Sequence, residues 1–301
     1  MSLERCILGT AGLGGVWGSV DPQESVGALL LALESGINAI DTAPAYGDAE
    51  KYVGEALRNW HGNKPQISTK AGRLKSFNAS EGIYDYSDKG IWRSIEQSLV
   101  ILGVNAVDIL FLHEPDRLQG EDVDRIIQTL HKIKEKGYAK KIGLGGNPPD
   151  WFLTYLQPEV FDVVMEFNKL SACNTTAIIE SLPYCLANSI EYFVASPLHM
   201  GLLGDRFTSY VSNPPAWLSH EILETAISAK KIADENKLDL RNLAHRFLLS
   251  LPYFFNVVVG ACNRQQLHET ITDFCQGPLE TTLVEKLLNI TKGNSLHVQD
   301  R

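Results

Sequence analysis

Short apolar, β-branched runs alternate along the whole chain with longer stretches of helical period. The runs near 6–9, 37–41, 66–70, 107–112, 140–144, 161–166, 191–195 and 255–259 read as strands. The stretches 22–35, 48–60, 89–103, 120–137, 174–189, 219–236, 240–250, 263–275 and 279–292 read as helices, with a weaker helical pattern at 150–156. Asp21-Pro22 marks one helix start, and Gly36, Gly103 and Gly137 stand just past three helix ends, where a left-handed residue is wanted. Eight strand–helix units without a linker or low-complexity segment predict an α/β fold. The expected architecture is a single (β/α)8 TIM barrel spanning 1–301, with an open doubly wound sheet as the alternative.

Two connections exceed ordinary βα-loop length: 71–88 (AGRLKSFNASEGIYDYSD) and 199–218. Both follow the carboxyl end of a strand, the face on which barrel enzymes place their sites. Four polar residues occupy that same rim. Asp41 ends the second strand, Tyr46 lies in the loop after it, Lys70 ends the third and His113 ends the fourth. Each has a bland reading as a turn cap, core filler, solvated strand end or satisfied histidine. Together they form an acid–phenol–ammonium–imidazole cluster suited to carbonyl chemistry. A free phenol with a pKa of ~10 exchanges protons poorly at neutral pH, and a neighbouring ammonium favours its phenolate. Asp41 would keep a buried Lys70 charged, and His113 would donate a hydrogen bond to the carbonyl oxygen. Side chains supply no hydride, so a nicotinamide cofactor is implied. Its phosphates would lie against the loops after the last two strands, Ser196 to Gly204 and Val259 to Asn263. Gly12-x-Gly14-Gly15 opens no βαβ unit of the dinucleotide-binding type and is not read as a fingerprint.

Composition narrows the partners. A formal net charge of -9 with no basic run argues against nucleic acid. No uncharged stretch is long enough to cross a bilayer, and MSLERCILGTAG lacks the basic head and long apolar core of a secretory signal, so a cytoplasmic protein is expected. Five cysteines without CxxC spacing read as buried reduced thiols, and no metal site is expected. The partner expected is a small carbonyl compound or sugar.

The segments GINAIDTAPAYGDAEKYVGEAL, ISTKAG, VDILFLHEPD, KKIGLGG, SPLHMGLLG and VVVGACNRQQLHET closely resemble the aldo-keto reductase superfamily, in its order and spacing. The resemblance implies a barrel, a nicotinamide cofactor and a catalytic tetrad falling on Asp41, Tyr46, Lys70 and His113. It places cofactor contacts at Asn168, Ser196, Leu198, Met200, Gly201, Gly260, Arg264, Gln266 and Glu269; Trp17, Tyr84 and Tyr86 are candidate substrate contacts, with surface decoration an equal reading of the 73–88 residues. The chain departs from the common pattern in three places. Gly145-Gly146 stands where many members have Ser-Asn, and Asn168 is the nearest polar residue where they have glutamine. Gly260 and Gln266 match the positions of a lysine and an arginine that grip an NADP 2′-phosphate. Fewer cations imply NAD, with Arg264 as the residue that keeps NADP open. The pattern looks most like the aldose 1-dehydrogenase branch (L-fucose, L-galactose, D-threo-aldose), which oxidises a sugar at C1 to the lactone. The rivals are a reductase of small aldehydes or ketones, a Schiff-base aldolase using Lys70, and a cofactor-binding regulatory subunit with little turnover.

Overall fold

A computed structural model describes residues 3–78, 81–118 and 122–291. Eight parallel strands close into one barrel in sequence order: β1 (Cys6–Gly9), β2 (Ala39–Asp41), β3 (Gln66–Ala71), β4 (Val107–His113), β5 (Ala139–Gly145), β6 (Val163–Phe167), β7 (Glu191–Ala195) and β8 (Asn256–Gly260). Around them lie α1 (Pro22–Glu34), α2 (Ala49–Asn59), α3 (Asp88–Leu102), α4 (Val123–Glu135), α5 (Ser181–Ala187), α6 (Phe207–Ser212), α7 (His220–Glu235), α8 (Leu240–Ser250), α9 (Arg264–Cys275) and α10 (Thr281–Thr291). The closed barrel is the expected architecture, and the open sheet is excluded.

Period-two alternation divides each strand between two cores. Leu8, Ile40, Ile67, Leu110, Leu112, Val164, Val194 and Val257 belong to the large cluster packed against the helices. Ile7, Ile109, Phe111, Val163, Met165, Phe193 and Val258 form a separate cluster, which the alternation puts inside the barrel. The Phe111 ring claims the space beside β5, and a Cβ on Gly143 would come within 2.4 Å of it. The same alternation carries Asp41, Lys70 and His113 into the barrel's upper layer, at the carboxyl ends of three neighbouring strands.

The helical elements differ from expectation in two places. Residues 174–189 do not form one helix: a single 3-10 turn, Thr176–Ile178, is followed by the short α5. Pro183 is the cause, because it has no N–H and its ring would clash with the carbonyl four residues back. Between β5 and β6 the weak pattern gives only a 3-10 segment, Asp150–Tyr155, after Pro148-Pro149. The long 199–218 connection contains α6. Helix α10 packs on α7 and α8. All five cysteines are unbridged; Cys6, Cys173 and Cys185 are buried, but Cys262 and Cys275 are exposed, contrary to the expectation. Among the described residues, no helix is long and apolar enough to cross a membrane.

Candidate active site

Three strand ends and one turn build the cluster. Lys70 and Asp41 are each 2% exposed. The Lys70 Nζ lies 2.5 Å from Asp41 Oδ2 and donates to the Thr42 carbonyl at 3.0 Å. Ser68 Oγ, one pleat below Lys70, donates to Asp41 Oδ1 at 2.7 Å, so both carboxylate oxygens are engaged. The cation stands 4.8 Å from the centre of the Tyr46 ring. The Tyr46 and His113 rings meet edge to face, with centroids 5.8 Å apart and planes at 87°.

The turn carrying Tyr46 is held from two sides. The Tyr46 and Asp48 region lies against the β1–α1 connection, where Asp48 N–H donates to the Gly14 carbonyl at 3.0 Å. A Cβ on Gly14 would come within 1.8 Å of the Tyr46 carbonyl oxygen, so the approach requires glycine there. Immediately after the turn, the buried Glu50 in the first turn of α2 accepts from Thr69 Oγ1 at 2.7 Å. That bond ties α2 to β3 through the residue next to Lys70.

Burial sets the ionisation of the cluster. It pushes the Tyr46 hydroxyl above the ordinary phenol range, and the Lys70 ammonium draws it back part of the way. Burial also acts to strip the Lys70 proton, but the adjoining Asp41 carboxylate and Tyr46 oxygen outweigh it and hold the amine above its usual value. His113 falls well below the usual imidazole range through burial, then through the nearby Lys70 and Arg73 charges. At neutral pH the arrangement is a neutral phenol and a neutral imidazole beside a buried ion pair. Such a phenol can pass a proton to or from a substrate oxygen while the imidazole donates a hydrogen bond.

The other expected contacts divide into groups. Asn168, at the end of β6, has φ 59. Its carbonyl accepts from Asn174 Nδ2 at 2.7 Å, while its own Oδ1 is buried without a partner. Ser196, Leu198, Met200 and Gly201 lie in the turn after β7, where Ser196, His199, Met200 and Gly201 all take positive φ and Ser196 Oγ lies 3.5 Å from Met200 Sδ. Gly260 ends β8 on an open surface. Gln266 bridges outward: its Oε1 accepts from Cys262 N–H at 2.8 Å and its Nε2 donates to Asp205 at 3.0 Å. Arg264 is engaged by Glu24 of α1, Nη2 to Oε2 at 2.8 Å, with its backbone N–H also donating to that carboxylate. Glu269 is paired with Arg241 of α8. Trp17 is 44% exposed in the β1–α1 connection. Tyr84 stacks on Tyr86 and donates to Glu114; Tyr86 is buried, and its hydroxyl donates to the His113 and Glu114 carbonyls. Glu114, Glu24 and Asp205 were not among the residues expected from sequence. Only Glu114 carried a sequence signal, its position directly after His113.

The orphaned Asn168 Oδ1, the open Gly260 and the turn after β7 fit a nicotinamide nucleotide. Asn168 would accept from its carboxamide, and the two strand-end loops would hold its phosphates. Residues 5–289 match the model of the aldo/keto reductase family. The chain belongs to this family. It is an NAD(P)-dependent oxidoreductase. It is 29% identical over 276 residues to an L-galactose dehydrogenase of Arabidopsis thaliana, an alignment covering 87% of this chain and 82% of that protein. It is 32% identical over 232 residues to a D-arabinose 1-dehydrogenase of Saccharomyces cerevisiae, covering 73% and 67%. Among solved structures it is similar to a glycerol dehydrogenase of Gluconobacter oxydans, with a TM-score of 0.77, 25% identity and coverage of 95% and 90%.

Proposed function

We propose that this protein is an NAD-dependent aldose 1-dehydrogenase. It would oxidise a sugar's cyclic hemiacetal at C1 to the lactone, with Tyr46 as the base. The bound nicotinamide supplies the hydride acceptor. The Tyr46 phenolate takes the proton of the C1 hydroxyl as the C1–H pair leaves and the C1–O bond becomes a carbonyl. Lys70 compensates the phenolate charge, and Asp41 holds Lys70 in place through an oxygen that Ser68 does not use. The neutral His113 imidazole orients the same oxygen by a hydrogen bond. The observation that carries the reading is the buried Lys70–Asp41 pair against the Tyr46 ring, with His113 at its edge.

The sugar assignment is supported by the names of the aligned dehydrogenases and by the polar rim beside the site. The choice of NAD is supported by Arg264, whose guanidinium is engaged by Glu24, and by the neutral Gly260 and Gln266. Run in reverse, the same four groups would reduce a small aldehyde or ketone. The deciding experiment follows NAD+ reduction with a panel of aldoses, alongside NADH and NADPH consumption with short aldehydes, for the native protein and Tyr46→Phe. Aldose oxidation abolished in the variant supports the proposal. Turnover of simple aldehydes alone overturns the sugar reading and leaves a reductase.

A further inference from the structure

The long β3–α3 connection is fastened to both of the turns that carry the proton-handling groups. On the Tyr46 side, Gly47 N–H donates to the Ser76 carbonyl at 3.1 Å, and Lys75 Nζ lies 2.5 Å from Asp48 Oδ1. The Phe77 ring lies so close to Gly47 that an added Cβ would meet it at 3.1 Å. On the His113 side, Arg73 and Tyr84 face each other across an antiparallel bridge and both hold Glu114. Arg73 Nη1 lies 2.6 Å from Glu114 Oε1, and the Tyr84 hydroxyl donates to the other carboxylate oxygen. Tyr86, stacked on Tyr84, donates to the carbonyls of His113 at 2.8 Å and Glu114 at 2.9 Å.

Glu114 is held in an unfavourable backbone state by these contacts. Its φ is 52, a left-handed conformation that residues with a Cβ seldom adopt unless their surroundings impose it. Its N–H donates to the Gly145 carbonyl at 2.7 Å, fixing the corner to β5. The Arg73 and Glu114 side chains are only 11% and 18% exposed, far less than surface pairs such as Lys75–Asp48 and Arg93–Asp85. A charged pair drawn this far out of water stabilises little by itself, and losing one partner strands the other. Strain at a corner next to His113, with such a pair fastened to it, points to a task beyond folding.

We propose that Glu114 is a positioning residue for Tyr46 and His113. Through Arg73 and Tyr84 its carboxylate pins the β3–α3 connection, and the pinned connection holds the Tyr46 turn and the His113 strand end at one separation. The proposal rests on the reading of Tyr46 and His113 as the groups that handle the substrate proton. The pair also balances charge at the site. Tyr46 is faced by Lys70 from β3, Asp41 from β2, and Glu114 with the His113 ring from the end of β4. His113 is faced by Lys70 and Arg73. Removing the Glu114 charge takes away a negative neighbour of Tyr46 and so favours the phenolate.

The test compares Glu114→Gln, Glu114→Ala and Glu114→Asp with the native protein, using the best substrate found for the latter. Steady-state kinetics across pH are run beside a tryptophan-fluorescence titration with NAD+, thermal unfolding, and amide hydrogen exchange of residues 72–78 and 81–86. Glu114→Gln and Glu114→Ala should lose at least tenfold in kcat while binding NAD+ within twofold of the native protein. The oxidation profile of Glu114→Gln should move to lower pH, Glu114→Asp should recover part of the rate, and exchange in both arms should quicken at least tenfold in Glu114→Ala. A kcat within twofold of native, or a rate loss with pH profile and exchange unchanged, overturns the proposal. If Glu114→Ala fails to fold, the near-isosteric Glu114→Gln decides by rate and pH profile. A native protein silent with every sugar and aldehyde would instead sink the functional reading, and amide exchange would then decide the pinning by itself.

Discussion

Lys70 Nζ lies 4.8 Å from the centre of the Tyr46 ring and 2.5 Å from Asp41 Oδ2, so one buried cation serves both a phenol and a carboxylate. Replacing it separates two effects. Lys70→Met removes the charge that favours the phenolate, and kcat should fall by roughly 10²- to 10⁴-fold, the usual range for general acid–base catalysis. It also leaves Asp41 buried without its cation, which should cost about 3–5 kcal/mol of stability. The double variant Asp41→Asn/Lys70→Met should regain much of the stability and none of the rate. Denaturant melts and kinetics on the three proteins check this; equal recovery of both quantities would contradict it.

The direction of the pH dependence follows from Tyr46. Burial holds its hydroxyl above the ordinary phenol range, with Lys70 opposing. Oxidation needs the phenolate, so kcat/KM for an aldose should climb from pH 7 into the alkaline range. Reduction needs the phenol and should stay level until Tyr46 ionises. His113, held well below its usual range, stays neutral and adds no acid limb near neutrality. Rate profiles in both directions test this, and an oxidation rate that declines between pH 7 and 9 would rule it out.

The preference proposed for NAD rests on a pairing between chain segments 240 residues apart. Glu24 accepts from the Arg264 backbone N–H at 3.0 Å and from its guanidinium at 2.8 Å. A carboxylate thus stands against the cation that a 2′-phosphate would need. Glu24→Gln should strengthen NADP+ binding by roughly threefold to tenfold, since a freed guanidinium pairs well with phosphate. NAD+ binding should hardly move. Calorimetric titration of both nucleotides gives the answer, and an unchanged NADP+ affinity would show that Arg264 does not face that phosphate.

The barrel and the cluster at its rim were readable from sequence because each depends on local pattern. Alternation places Asp41, Lys70 and His113 inward at strand ends, and the parallel topology brings those ends to one face. What escaped notice depends on partners remote in sequence. Glu114 acquires its meaning from Arg73, 41 residues away, and from Tyr84, 30 residues away. Glu24 likewise matters only because α1 meets α9 across the closure of the barrel. Residues 174–189 carry a helical pattern, but Pro183, in the first turn of α5, allows only a short helix. Gly12-x-Gly14-Gly15 was legible as unusual but not as a docking surface for the Tyr46 turn, because only the fold brings that carbonyl to Gly14.

His199 makes acid sensitivity a measurable property of the turn after β7. The residue is 4% exposed, takes φ 50, lies beside Trp217 at 6.2 Å between ring centres, and has a buried Nδ1 without a partner. Burial lowers its pKa to about 4. In the unfolded chain it should titrate near ~6.5. Between those values the unfolded state binds a proton that the folded state refuses, so stability falls as pH drops through the unfolded value and levels off below the folded one. The loss attributable to this one group amounts to about 3 kcal/mol at its limit. His199→Gln carries no titrating group there, so its stability should fall less steeply than the native protein's from pH 7 to pH 4. His113 and His245 are depressed by burial as well and keep a residual slope in the variant. Urea melts at several pH values compare the two proteins, and parallel curves would place the acid sensitivity elsewhere in the chain.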